Sequence, residues 1–319
     1  MRNHILLLLK KDIFATYINI MNKILSILFA TFISFIVFSC TSPDPAALYG
    51  LTPNDPNNPG ANIAGPRILH KVQFNNLPNA EYTSAGGVLN EADFYHYDGN
   101  NLSEHNKVIL NYSGNEISSF EWKVIQSSNS GSMTEKIYPT YDATGKIINF
   151  IQDRYLGTVH VMHIKGTLIY NSANLPIEII QKIHNPDPFN PGVLDWGGQQ
   201  INTTILYTGS NVVKVKHEQK LYDTTTNTLL NNHITLYEYS QYDDKISPYS
   251  TLSKDYRLIF AQVHPAMLFH LSYNNALKTK ITFPMAPPIE GTGSFQYDQQ
   301  NYAIAVTGGN LKYIYKPIQ

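Results

Sequence analysis

The feature that most constrains this chain is a series of turns, each marked by a tyrosine. A Tyr followed within a few residues by Asn, Asp or Gly ends one apolar stretch and precedes another at Tyr97, Tyr112, Tyr141, Tyr170, Tyr207, Tyr273 and Tyr297. Asn, Asp and Gly tolerate the positive φ of tight hairpin turns. Positions 112, 141 and 170 are 29 residues apart, which suits two strands and two turns. The spacing predicts hairpins, in which each Tyr packs its ring inward and exposes its hydroxyl to water.

Between these turns the side chains alternate in polarity with a period of two. In residues 119–124 Phe120, Trp122 and Val124 share one face, whereas Glu121 and Lys123 share the other. One covered face and one wet face are typical of an antiparallel sheet.

We therefore predict an all-β, mainly antiparallel β-meander in a single domain over residues 67–319. The sheet is expected to curl into an open or barrel-like form. A short helical insertion over residues 247–267 is expected to cover its apolar face, since an uncovered apolar face would need a partner.

The amino-terminal region has the organisation of a targeting signal. Residues 24–38 are apolar apart from Ser and Thr, and they follow Lys23. A basic residue, an apolar run of this length and a small residue before the cut are typical of a signal peptide. We predict a signal region over residues 1–39, with translation starting at Met21 as the preferred interpretation. The alternative is a two-helix membrane anchor.

Cys40 is the single cysteine of the chain, and it lies directly after this apolar run. The sequence Val37-Phe38-Ser39-Cys40 resembles the bacterial lipobox, in which the cysteine is acylated and becomes the new amino terminus. The resemblance implies membrane lipid as a partner through Cys40. Residues 40–66 then form a proline-rich tether, because proline neither pairs in a sheet nor continues a helix.

Residues 90–319 resemble an uncharacterised family of Bacteroidota lipoproteins with degenerate, Rhs-like YD repeats. The likeness rests on Tyr-Asp followed by Gly or Asn, and on the order of Tyr242-Asp-Asp, Leu271-Ser-Tyr-Asn-Asn and Phe295-Gln-Tyr-Asp298. It implies a cell-envelope protein of the outer membrane, on the periplasmic or the surface face, with a β-sheet fold. The family has no established activity, so it implies no substrate.

Charge and motifs narrow the function classes. The net charge of −1 argues against a nucleic-acid partner, which is held mainly by Lys and Arg. The sequence has no G-x-S-x-G, H-E-x-x-H or P-loop motif. This favours a non-enzymatic binding or scaffold module for a glycan, peptide or protein. The alternative is a carbohydrate-active hydrolase, which needs only two suitably spaced carboxylates.

The best candidate for ligand binding is the Pro/Gly-rich segment at residues 185–198. It carries the aromatic residues Phe189 and Trp196 beside Asp187 and Asp195, and long loops are often functional. Aromatic rings with nearby carboxylates suit a glycan. The alternative is that Trp196 folds back and caps the end of the sheet.

His160 and His163 are the only other pair that suggests ligand chemistry. Residues three apart on a regular strand point to opposite faces, so these imidazoles could share a metal only across a bulge. The sequence favours surface histidines, and we predict no metal, no cofactor and no catalytic residue.

Overall fold

The computed structural model describes residues 66–85, 87–127, 132–186 and 194–318, and 17 strands of these residues form one antiparallel sheet. The first nine strands are β1 Arg67–Phe74, β2 Leu77–Ala85, β3 Val88–Asp98, β4 Asn101–Ser113, β5 Glu116–Ser127, β6 Met133–Tyr141, β7 Ile147–Leu156, β8 Val159–Tyr170 and β9 Pro176–Pro186. The remaining strands are β10 Leu194–Thr208, β11 Asn211–Tyr222, β12 Leu229–Tyr242, β13 Ala276–Thr282, β14 Ile289–Thr292, β15 Phe295–Tyr297, β16 Ala303–Val306 and β17 Leu311–Pro317.

The strands follow one another as a meander. Each strand from β1 to β13 pairs antiparallel with the next strand along the chain. The last three strands pair in the same way and then return, so that β17 lies against β1. The sheet is open and does not close into a barrel. The prediction of an antiparallel β-meander in a curled open sheet is confirmed.

The return of β17 to β1 joins the two ends of the described chain. Arg67, at the start of β1, forms an ion pair with Asp298, and both side chains are almost fully buried. The Arg67 guanidinium also lies over the Tyr302 ring, 4.6 Å from its centroid. A buried charge is costly unless it is paired, so this contact fixes the start of β1 against the turn that follows β15.

From β4 to β12 every second strand ends at or next to a tyrosine, and these tyrosines lie at the same end of the sheet. We call this end of the sheet the tyrosine end. It is defined by the last or next-to-last residues of β4, β6, β8, β10 and β12, which are Tyr112, Tyr141, Tyr170, Tyr207 and Tyr242. All five rings pack against the hydrophobic core. The repeat unit is therefore two strands, as the 29-residue spacing predicts. Tyr97 lies next to the last residue of β3, at the opposite end of the sheet, so it is not part of this series.

The prediction that these hydroxyls reach water is wrong for most of the series. The Tyr112 hydroxyl donates to the Leu89 carbonyl at 2.6 Å, and the Tyr170 hydroxyl donates to the Ile147 carbonyl at 2.8 Å. The Tyr141 hydroxyl accepts from the backbone N–H of Ile117 at 3.1 Å. Each hydroxyl thus reaches a backbone group near the start of the preceding strand, because the partly buried ring lies inward against the core.

A helical insertion between β12 and β13 covers the inner face of the sheet. It comprises a 3-10 helix Pro248–Thr251, helix α1 Lys254–Val263 and a second 3-10 helix Pro265–Leu271. The Ser253 hydroxyl accepts from the Tyr256 backbone N–H and caps the start of α1. The predicted insertion over residues 247–267 is confirmed, and the structure extends it by four residues.

Helix α1 packs into an aromatic cluster of the sheet. Phe260 stacks on Phe94 of β3, with ring centroids 5.1 Å apart, and also contacts Trp122 of β5 at 5.9 Å. Tyr256 makes an edge contact with Tyr82 of β2 at 6.4 Å. Burial of this kind stabilises the fold in proportion to the apolar area removed from water.

The signal region, Cys40 and the tether as far as residue 65 lie outside the described residues. Within the part of the chain that the structure describes, no helix is both long enough and apolar enough to cross a bilayer.

Candidate functional site at the histidine end

Trp196 and Asp195 lie on strand β10, whereas Asp187 and Phe189 lie outside the described residues. Strand β9 continues to Pro186 and β10 begins at Leu194. Residues 185 and 186 thus belong to β9 and residues 194–198 belong to β10, so these parts of the segment predicted as a loop are strand.

A bulge in β10 positions Trp196. Trp196 pairs with His184 of β9, but the next paired residue, Gln199, faces Ile183, so Gly197 and Gly198 are extra residues in β10. Gly198 has φ +72°, and a Cβ there would lie 2.3 Å from the Tyr222 carbonyl oxygen. Only glycine fits such a site. The Trp-Gly-Gly sequence therefore sets the position of the indole.

Trp196 forms one wall of a cavity of about 390 Å³ on the outer face of the sheet. The six residues that line the cavity are Lys182, His184, Trp196, Gln200, Tyr222 and Asn227. The Trp196 and Tyr222 rings lie 5.8 Å apart and are inclined by 41°. This volume lies in the range of small-ligand sites, which combine aromatic walls with a few polar groups.

The turn after β11 holds the far wall of the cavity in place. The Asp223 carboxylate accepts from the backbone N–H groups of Thr225 and Thr226 at 2.9 and 2.7 Å. These bonds lower the pKa of the Asp223 carboxyl, because hydrogen bonds to the charged form stabilise it. The Asn227 N–H donates to the Asp223 carbonyl at 2.8 Å. The wall formed by Asn227 is therefore part of an ordered turn.

The indole of Trp196 lies outside the hydrophobic core of the described residues. It is half-buried, and its Nε1 is buried without a hydrogen-bond partner among those residues. A buried indole N–H usually has a partner. Trp196 thus lies beside a cavity on the outer face and outside the core. The neighbouring Asp195 is exposed and does not line the cavity.

His184 connects this cavity to a second polar cluster. The rings of His184 and His163 make an edge contact with centroids 5.9 Å apart. Partial burial is the main cause that lowers the pKa of His184, and the nearby charge of Lys165 lowers it further. Both favour the neutral imidazole. We call this region of the outer face, with His160, His163, His184 and Trp196, the histidine end.

At the histidine end Asp153 lies between two imidazoles. Its Oδ1 is 2.7 Å from Nδ1 of His163 and 2.9 Å from Nε2 of His160. The ligand atoms of the three residues all lie within 4.8 Å of one another. The sequence argument placed the two histidines on opposite faces in the absence of a bulge. Strand β8 has a bulge there, because its extra residue lies opposite the step from Arg154 to Tyr155 of β7. Both imidazoles therefore reach the same carboxylate.

A buried carboxylate on the inner face has a structural explanation. Glu135 accepts from Gln152 at 2.7 Å and from Nε of Arg154 at 2.6 Å. The pair is compensated within the protein, so Glu135 offers no free group for catalysis.

Comparison with models of protein families finds no match for this chain, and comparison with curated protein sequences finds none either.

Proposed function

We propose that the chain is a lipid-anchored cell-envelope protein whose β domain binds a carbohydrate at the histidine end without turning it over. The observation that carries this proposal is the cavity lined by Trp196 and Tyr222 together with amide, ammonium and imidazole groups.

The chemistry of the lining suits a sugar. The apolar C–H faces of a sugar ring pack on aromatic rings, and its hydroxyls need donors and acceptors at the edges. Trp196 and Tyr222 supply the rings, whereas Gln200, Asn227 and Lys182 supply polar groups. The two rings are inclined to each other, so they favour a bent or branched sugar over a flat chain.

The lining also favours binding over hydrolysis. The described residues that line the cavity include no Asp or Glu. Glycoside hydrolysis ordinarily uses a pair of carboxylates flanking the bond that is cleaved. The candidate carboxylate nearest in sequence, Asp195, is exposed and outside the cavity.

Glycan-array screening of the full chain, followed by calorimetry with the best sugar, tests this proposal. Trp196→Ala should weaken binding by at least about 10-fold, which corresponds to about 1.4 kcal/mol. The matched control is Tyr273→Ala, because Tyr273 is 52% exposed and lies outside the cavity. Equal affinity of Trp196→Ala and the parent protein would exclude this site. Release of reducing sugar would instead favour the hydrolase.

The anchor is proposed from the sequence around Cys40, and palmitate labelling tests it. The label should enter the parent protein and be lost in Cys40→Ala, which should also leave the membrane fraction. Several acyl chains bind a membrane far more firmly than one, at about 0.8 kcal/mol for each buried CH₂. A Cys40→Ala protein that stays in the membrane fraction would support the two-helix anchor.

A further inference from the structure

The bulge in β8 creates a ligand set that a regular strand could not form. Tyr155 of β7 faces His160, and Arg154 faces Met162, so Val161 is an extra residue in β8. Asp153 directly faces His163. Because Asp153 and Tyr155 are two residues apart, they share one face of the sheet, and the bulge brings His160 to that face beside His163.

The geometry points to a zinc site formed by Asp153, His160 and His163. Two imidazole nitrogens and one carboxylate oxygen are a donor set that Zn²⁺ uses when a fourth position stays open. With Zn–N distances of about 2.0–2.1 Å, the ligand atoms of a tetrahedral site are about 3.4 Å apart. The present separations of 2.7 and 2.9 Å from the Asp153 oxygen must widen by about 0.5–0.7 Å to reach this spacing. Nε2 of His160 must also give up its 2.9 Å contact with the Met162 carbonyl oxygen.

The surroundings of this cluster suit an ion that enters from solvent and is then held. The side chains of His163, Asp153 and His160 are 10%, 16% and 29% exposed. The Tyr155 ring stacks on His160, with centroids 4.9 Å apart, and His184 contacts His163 from the other side. Both contacts join residues that face each other on neighbouring strands, and such cross-strand pairs restrict the orientation of the imidazoles. The partly shielded, preoriented imidazoles therefore lose little freedom when they bind the ion.

The open coordination position of the ion would lie near the cavity beside Trp196. His163 contacts His184, and His184 lines the cavity beside Trp196. Water, or an oxygen of a molecule bound near that cavity, would complete the coordination. This site goes beyond the proposed sugar binding, because its ligands do not include Trp196 and zinc binding does not require a bound sugar. Zinc binding should therefore survive in Trp196→Ala.

Calorimetric titration of the EDTA-treated full chain with zinc chloride at neutral pH is the direct test. We expect one zinc ion per chain, with proton release, because ligands must lose their protons to bind the metal. His163→Asn and Asp153→Asn should each weaken binding by about 100-fold. This is the upper end of the effect known for residues that only orient a ligand, and loss of a ligand itself should cost no less. His105→Asn is the matched control, because His105 pairs with Asp93 at 2.8 Å in a cluster that contains one histidine.

Cobalt provides a second measurement on the unmodified protein. One equivalent of Co²⁺ should give the visible absorption of a tetrahedral site in the parent protein and in His105→Asn, but not in His163→Asn. Absence of stoichiometric zinc and cobalt binding in the parent protein would overturn the proposal and leave a hydrogen-bonded His–Asp–His cluster. Equal zinc affinity in His163→Asn and His105→Asn would also overturn it.

Discussion

The two ends of the sheet are built from similar residues in opposite roles. At the tyrosine end, aromatic rings lie inward against the helical insertion, and their hydroxyls bind backbone groups of neighbouring strands. At the histidine end, the outer face carries half-buried rings around a cavity. The insertion enters at the tyrosine end, where Lys254 donates to the carbonyl of Asn174 at 2.8 Å. The comparison teaches that one repeated hairpin can place core contacts at one end and leave an aromatic-walled cavity at the other.

The largest expected effect separates these two roles through stability. Phe260→Ala removes the ring that stacks on Phe94 and contacts Trp122, and Phe260 is only 5% exposed. Loss of a core Phe should lower the free energy of unfolding by about 3–5 kcal/mol. Trp196→Ala should cost about 1 kcal/mol or less, because the half-buried indole lies outside the core. Urea unfolding of the two variants measures both values.

Similar losses in the two variants would contradict this division. Such a result would mean that Trp196 supports the fold, and a loss of sugar binding in Trp196→Ala would then need a folding control.

The sequence predicts the strands well because alternation is a local signal. Residues 119–124 lie within β5, and the turn at Gly114 follows Tyr112 as the Tyr-Ser-Gly-Asn pattern predicts. The 29-residue spacing also predicts the two-strand unit correctly. Each of these features depends on residues close together in the chain.

Features that depend on distant partners could not be predicted in this way. Strand β17 pairs with β1 across nearly the whole described chain, and Arg67 contacts an aspartate 231 residues further on, so no local pattern predicts either contact. The bulge at Val161 could not be predicted either, since nothing in the sequence His160–His163 distinguishes a bulged strand from a regular one. The Gly-Gly pair after Trp196 was the one local sign of a bulge near the cavity, because glycine within a strand often marks one.

Acid should destabilise the fold through a histidine that is buried in its interior. His217 is buried on β11, and burial lowers its pKa from 6.5 to about 4. Between these values the unfolded chain binds the proton and the folded chain does not, so stability falls as the pH is lowered from 6.5 towards 4. The expected loss is about 3 kcal/mol at the lower end. Above pH 6.5 both states are neutral, and this contribution is constant.

Urea unfolding at a series of pH values measures this effect. His217→Gln keeps a polar group opposite the Thr203 hydroxyl, which lies 3.1 Å from Nδ1 of His217, and it removes the titration. This variant should therefore show a shallower pH dependence than the parent protein. His233→Gln, at an exposed position, is the control. An equally steep profile in His217→Gln would assign the acid sensitivity to other groups, such as the buried His270, whose pKa is also lowered by burial.

The smallest predicted effect tests the hydroxyl contacts at the tyrosine end. Tyr112→Phe removes the donor to the Leu89 carbonyl and should lower the free energy of unfolding by about 1 kcal/mol. Tyr207 is the matched control, because its buried hydroxyl has no hydrogen-bond partner among the described residues. Tyr207→Phe removes an unpaired polar group, so it should be neutral or stabilising. Opposite signs in urea unfolding would show that the backbone contact, and not the ring alone, selects tyrosine in this series. Equal losses would mean that the ring position matters and that the hydroxyl contributes nothing specific.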